Sequence, residues 1–203
     1  MIPAPMKRAP LALLALALAG CALFASPAAA PPSLFSLTPP STSAPPRELA
    51  AARKIEVAPP SARPGFEGPR MAYVTRPHEL QFFARHQWVD APARMLAPLL
   101  ADALERGGRF DAVQSDGFAA SALRLETEVV VLQQEFDAHP SQLRFALQAR
   151  LLDVVKHRVL AESTFEAVEA AASDDPYGGV VAANRAVARV LDELASWCAV
   201  NAH

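Results

Sequence analysis

Three stretches in the second half of the chain alternate apolar and polar residues one for one, and that period limits the fold more than any other feature. Leu123, Leu125, Thr127, Val129 and Val131 fall on one side, with Arg124, Glu126 and Glu128 on the other. Leu143, Phe145, Leu147, Ala149 and Leu151 alternate with Gln142, Arg144, Gln148 and Arg150. Val159, Ala161, Ser163 and Phe165 alternate with Arg158, Glu162 and Glu166. Period two with one polar face is the pattern of half-buried antiparallel strands. Turn residues at Asp137–Ser141 and Val155–His157 separate the stretches, so they read as a meander.

The remaining pattern supplies helices and shorter strands. After Asp90, which offers an N-cap, Met95, Leu96, Leu99, Leu100 and Leu104 recur at helical spacing until Gly107-Gly108. Pro98 falls inside that run and predicts a kink or a late start. A second helix begins at Asp175, a capping acid, with Pro176 at the first helical position. Its stripe is Val180, Val187, Val190, Leu191, Leu194 and Trp197, with Cys198 beside it. Ile55–Val57, Met71–Val74 and Phe110–Val113 read as short strands. Leu80–Phe83 and His86–Val89 read as a hairpin about Ala84-Arg85, a turn that would make His78 and His86 neighbours. The expected fold is a single α/β domain with a mixed, largely antiparallel sheet and packed helices.

The amino terminus is of another kind. Lys7 and Arg8 precede Leu11–Ala19, which holds only Leu and Ala, and Leu18-Ala19-Gly20-Cys21 follows. A basic start, a short apolar run and small residues at a cleavage point make an export signal. The run is too short for the roughly 20 residues of a membrane-spanning helix. Leu18, Ala19, Gly20 and Cys21 have the form of a bacterial lipobox, cut before Cys21 so that its thiol carries lipid. The alternative is an ordinary signal cut at Ala28-Ala29-Ala30. The expected division is a signal over residues 1–20, a lipidated Cys21 with a Pro- and Ala-rich tether over 21–52, and a domain over 53–200. Pro27, Pro31, Pro32, Pro39, Pro40, Pro45 and Pro46 favour extended backbone in the tether. Within it, Ser33–Leu37 has strand-like residues that could add an edge strand.

Charge excludes one class of function. The signal carries two of the 19 Lys and Arg and none of the 21 Asp and Glu, which leaves the mature chain at −4. Without a basic cluster, nucleic acid has nothing to bind. With Cys21 lipidated, Cys198 has no partner for an intramolecular disulfide, whereas an unlipidated chain would allow a Cys21–Cys198 bridge. The five His residues show no metal-ligand spacing, and no cofactor motif is present. No Ser sits in a nucleophile elbow. Gly178-Gly179 is a pair, not a phosphate loop, and Asp174-Asp175 reads as a helix start. Tyr73, Phe82, Phe83 and Trp88 crowd a short segment, interleaved with Arg76, His78, Glu79, Arg85 and His86. Such a segment either packs under the first helix or forms a partner-docking surface, since aromatic and Arg side chains dominate binding hot spots.

Arg70-Met71-Ala72-Tyr73, then His78-Glu79-Leu80-Gln81-Phe82-Phe83, then His86-Gln87-Trp88-Val89-Asp90-Ala91-Pro92 resembles the ABC-type transport auxiliary lipoprotein family. The likeness runs from the lipobox to Leu194-Ala195-Ser196-Trp197. It implies a fold similar to the N-terminal domain of the periplasmic protein TolB and a role without catalysis. The implied partner is an MCE-domain protein of an ABC lipid transport system, with the membrane reached through the N-terminal lipid. Ala22, where Asp would favour inner-membrane retention, points to the outer membrane. The docking residues expected are Tyr73, Arg76, His78, Phe82, Phe83, Arg85 and Trp88. A variant of this reading has the domain bind phospholipid itself. The rival readings are a lipoprotein activator of a cell-wall synthase and a small periplasmic hydrolase.

Overall fold

The computed structural model describes residues 31–38, 52–114 and 121–203. The expected signal, Cys21 and most of the expected tether lie outside the described residues. In chain order the strands are β1 (Ser33–Phe35), β2 (Arg53–Val57), β3 (Ser61–Ala62), β4 (Arg70–Val74) and β5 (Leu80–Trp88), then β6 (Phe110–Gln114), β7 (Leu123–Glu135), β8 (Gln142–Asp153) and β9 (Arg158–Ala170). Helix α1 spans Pro92–Arg106 and α2 spans Pro176–Asn201.

The three alternating stretches are β7, β8 and β9, and they form the expected meander of long antiparallel ladders. The other side of β7 is shared along its length. Its start pairs with β2, its middle with β3 and its end with β4, all parallel. Beyond β2 lies β6, parallel, and beyond β4 lies β5, antiparallel. The Ser33–Leu37 island does join the sheet, with β1 parallel to β5 at one edge. Both helices lie on one face: α2 over β8 and β9, α1 against β6 and β2. Ile55, Leu125, Phe145, Leu147 and Leu151 from the sheet meet Leu96, Leu100, Val187, Val190 and Leu194 from the helices, all fully buried. The result is the expected α/β domain with a mixed sheet.

The opposite face of the meander is polar. Arg144 pairs with Glu166 at 2.9 Å, Arg150 bridges Glu126 and Glu162, and Arg63 reaches Glu128 at 3.1 Å. Exposed pairs of this kind contribute about 0–1 kcal/mol each. Their role is to keep that face in water while the apolar side chains of the same strands face the helices.

Strict alternation fails at three places, each with a physical cause. A register shift between Val129 and Val131 turns Leu132 and Gln134 inward and leaves Val131 only half-buried, contrary to expectation. A second shift, opposite Leu151 and Leu152, lets Leu160 pack against the core while Val159 is 44% exposed. Thirdly, Leu80–Phe83 and His86–Val89 are not a hairpin: one continuous β5 runs through Ala84-Arg85. The chain reverses between β4 and β5 instead, around His78 with its positive φ of 68°.

The helix ends correct one expectation and bear out another. Asp90 is not the N-cap of α1. That position is Ala91, without a side-chain bond, while Asp90 accepts the Ala91 N–H at 2.7 Å and holds Arg94. No late start occurs, since α1 begins at Pro92 and continues past Pro98. Pro98 is exposed, where solvent can serve the carbonyl that lacks its donor. Beyond α1, Gly108 takes a φ of 66° and donates its N–H to Glu105 at 2.8 Å. In α2, Asp175 caps as expected, accepting the Gly178 N–H at 2.7 Å. Cys198, fully buried, takes its place on the core stripe, while Trp197 is half-buried with its ring edge-on to Phe165 at 5.6 Å.

Candidate docking surface

The turn between β4 and β5 is held by its own side chains. Arg76 pairs with Glu79, and Gln81 donates to Thr75 Oγ1 at 3.2 Å and to Glu79 Oε1 at 3.1 Å. Tyr73 donates its hydroxyl to Gln81 Oε1 at 2.7 Å. Further along, the ladder is irregular. Ala72 faces Phe82 and Arg70 faces Gln87, so two steps of β4 span five of β5. This bulge breaks the alternation of β5 and brings both Phe83 and His86 into the same run of rings.

The rings then touch in series. Phe136, just beyond β7, meets Tyr73 edge-on at 5.9 Å, and Tyr73 stacks on Phe83 at 4.5 Å. Phe83 meets the His86 ring at 6.0 Å, His86 stacks on Phe35 of β1 at 6.0 Å, and Phe35 reaches Tyr177 at 6.3 Å. These spacings lie in the range of favourable aromatic pairs. Tyr73 lies two residues along β4 from buried Met71, on the side of the sheet that carries the core. The run is therefore a ledge that continues the core face beyond the start of α2. Most of its rings are half-buried, and Tyr177, the second residue of α2, is 63% exposed. A shallow groove of about 500 Å³ adjoins it, lined by Leu34, Phe35, Thr38, Tyr177, Val181 and Asn184.

The residues expected to dock do not all meet here. Tyr73 and Phe83 lie on the ledge. Trp88 is 3% exposed and belongs to the core, so it offers no contact surface. Phe82 carries the Arg70 guanidinium 3.8 Å over its ring. Arg76 and His78 occupy the turn, and Arg85 is exposed at the bulge. His78 and His86 are not paired across a hairpin, because the strand between them is extended. Phe35, Phe136 and Tyr177 were not among the expected residues. They arrive from β1, from the end of β7 and from α2, and no local spacing announces that meeting.

Several groups with catalytic chemistry among the described residues have structural roles. The Cys198 thiol is buried, and burial pushes its pKa up to about 12, which withholds the thiolate. His139 approaches Asp174 at 3.1 Å in the turn after β7. Nearby Ser141 is fully buried, and its hydroxyl accepts from Gln134 Nε2 at 2.9 Å. Asp174 accepts the Ser141 N–H at 2.6 Å, and that bond, with the His139 contact, holds its carboxyl below the ordinary value. Among the described residues no group of His, Cys, Asp and Glu could hold a metal ion, and no helix is long and apolar enough to cross a membrane.

The family model described as "ABC-type transport auxiliary lipoprotein component" matches residues 35–195. No curated protein matches the sequence. Among solved structures, a Xanthomonas campestris protein is similar with a TM-score of 0.71 at 24% identity, over 84% of this chain and 96% of that one. An uncharacterized protein gives 0.65 at 13% identity, over 83% and 99%. The hypothetical protein CT253 from Chlamydia trachomatis gives 0.53 at 9% identity, over 74% and 98%. These likenesses show a shared fold.

Proposed function

The chain belongs to the ABC-type transport auxiliary lipoprotein family, and from that premise we propose that it is a lipid-anchored, non-catalytic docking component at the periplasmic face of the outer membrane. Its partner is an MCE-domain protein of an ABC-type lipid transport system, which it fastens to that membrane. Three things support the reading. The family description names an auxiliary lipoprotein of ABC transport. Leu18-Ala19-Gly20-Cys21 supplies the acylation sequence, and Ala22 lacks the retention signal. The observation that carries the docking role is the aromatic ledge from Phe136 to Tyr177, which leaves rings half-covered beside an open groove. Partly exposed aromatics are what interface hot spots are built from. A Pro-rich tether raises the effective concentration of the anchored domain near its partner, so modest affinity suffices.

Two variants test this directly. Cys21→Ser should move the protein from the outer-membrane fraction to the soluble periplasmic fraction. Tyr177→Asp, at a side chain that is 63% exposed, should cut co-purification of the MCE protein at least tenfold without changing the melting temperature. Undiminished capture would reject the ledge as the contact surface, and recovery of a cell-wall synthase in place of an MCE protein would reject the partner.

A further inference from the structure

A second apolar hollow lies at the other end of α2. It is a cleft of about 720 Å³ between the last turns of both helices and the start of β6. That size falls within the range of small-molecule sites. Its walls include Leu104, Phe110, Ala195, Ala199 and Val200, and Val200 is 68% exposed. The ledge residue Tyr177 and Val200 are both on α2, roughly 34 Å apart at 1.5 Å per residue. The two places are therefore separate.

What marks the cleft is its charge. Arg106 and Arg109 line it, and Arg53 and Arg109 line an adjoining hollow of about 340 Å³. The Arg53 N–H donates to the Arg109 carbonyl at 3.0 Å, and Arg53 stands beside Phe110 in the parallel ladder, so the backbones of the two Arg residues are held side by side. Arg106 is engaged by Asp192 at 3.4 Å. Arg53 and Arg109 make no side-chain hydrogen bond or ion pair among the described residues. On the meander's polar face, by contrast, Arg63, Arg144 and Arg150 each face a carboxylate. Asp192 also lines the cleft but is held by Arg106. Two guanidinium groups that pair with no carboxylate among the described residues, next to apolar walls open to solvent, suit a ligand that is anionic at one end and hydrocarbon at the other.

We propose that this cleft binds a single-chain anionic amphiphile, a fatty acid or a lysophospholipid. Its carboxylate or phosphate would sit on Arg53 and Arg109, and its acyl chain on Phe110, Ala199 and Val200. The inference does not depend on the ledge or its partner. The test is calorimetric titration of the full mature chain carrying Cys21→Ser, below the micelle concentration of each probe. Oleate and lysophosphatidylglycerol are the two anionic probes and monooleoylglycerol the neutral one. One-to-one saturation is expected with at least one anionic probe, and the probe that binds identifies carboxylate or phosphate as the headgroup. The neutral probe should bind at least tenfold more weakly. The double variant Arg53→Gln/Arg109→Gln should lose at least tenfold in affinity, and Val200→Asp should abolish binding. Tyr177→Asp should leave binding unchanged, which separates failure here from failure of the docking surface. Equal binding of the neutral probe, undiminished binding by the double variant, or no saturation with either anionic probe would overturn the proposal.

Discussion

Gly179 stands where the first turn of α2 crosses the end of β7. A Cβ there would lie 2.3 Å from Gln134 Oε1. Gln134 cannot easily move aside, because it is 2% exposed and donates to Ser141 Oγ at 2.9 Å and to the Asp175 carbonyl at 3.1 Å. Gly179→Ala should therefore destabilise the fold in urea titration by about 1–2 kcal/mol, the overpacking cost less the gain in helix propensity. The neighbouring acids make a pH prediction. Asp174 and Asp175 both have carboxyls held below 3.8, chiefly by the Ser141 and Gly178 N–H groups that they accept. A depressed folded-state pKa stabilises the fold above the unfolded value and loses that contribution as pH falls through the folded one. Thermal melts should hold steady down to about pH 4 and decline below it, and Asp174→Asn with Asp175→Asn should flatten that decline. Asp175→Ala alone should lower the melting temperature at neutral pH by roughly 2–4 °C, the usual effect of removing a cap from a domain of this size.

At the scale of elements, the three meander strands and both helices were legible because their periods are long and their ends are marked. Asp175-Pro176 and Gly107-Gly108 carry their meaning in local backbone chemistry. The bulges were not legible. Val129-Val130-Val131 reads identically in either register, and only the partner strand decides which residue is extra. Ala84-Arg85 separates two apolar pieces as a turn would, although neither residue favours one, while the real reversal at His78 uses a left-handed backbone that the sequence does not advertise. The ledge was half legible for a related reason: Tyr73 and Phe83 are near in sequence, but Phe35, Phe136 and Tyr177 reach them only through tertiary packing. The edge strand β1 allows a sharp test. Phe35 accepts the Val89 N–H at 2.7 Å, whereas the Trp88 N–H goes to Pro69 at 2.8 Å. Replacing Phe35 and Leu37 by Asp should release β1 from the core side. Hydrogen exchange should then accelerate at the Val89 amide and stay slow at Trp88. Equal protection of both amides would mean that β1 does not close that edge.

Over the whole molecule, the division between a greasy front and a charged back follows from the sequence alone. The role as a transport auxiliary rests on the family match; no spacing of reactive groups could have supplied it. What folding adds is the placement of β1. In sequence this strand precedes every other described element, and it runs alongside β5, the strand that bears Phe83 and His86. On the proposed lipid anchoring, a pull on the amino terminus would enter the described domain there, as a sliding load along one hydrogen-bonded seam. Such a load would be felt first at the aromatic surface, before it reaches the helices or the long meander behind them.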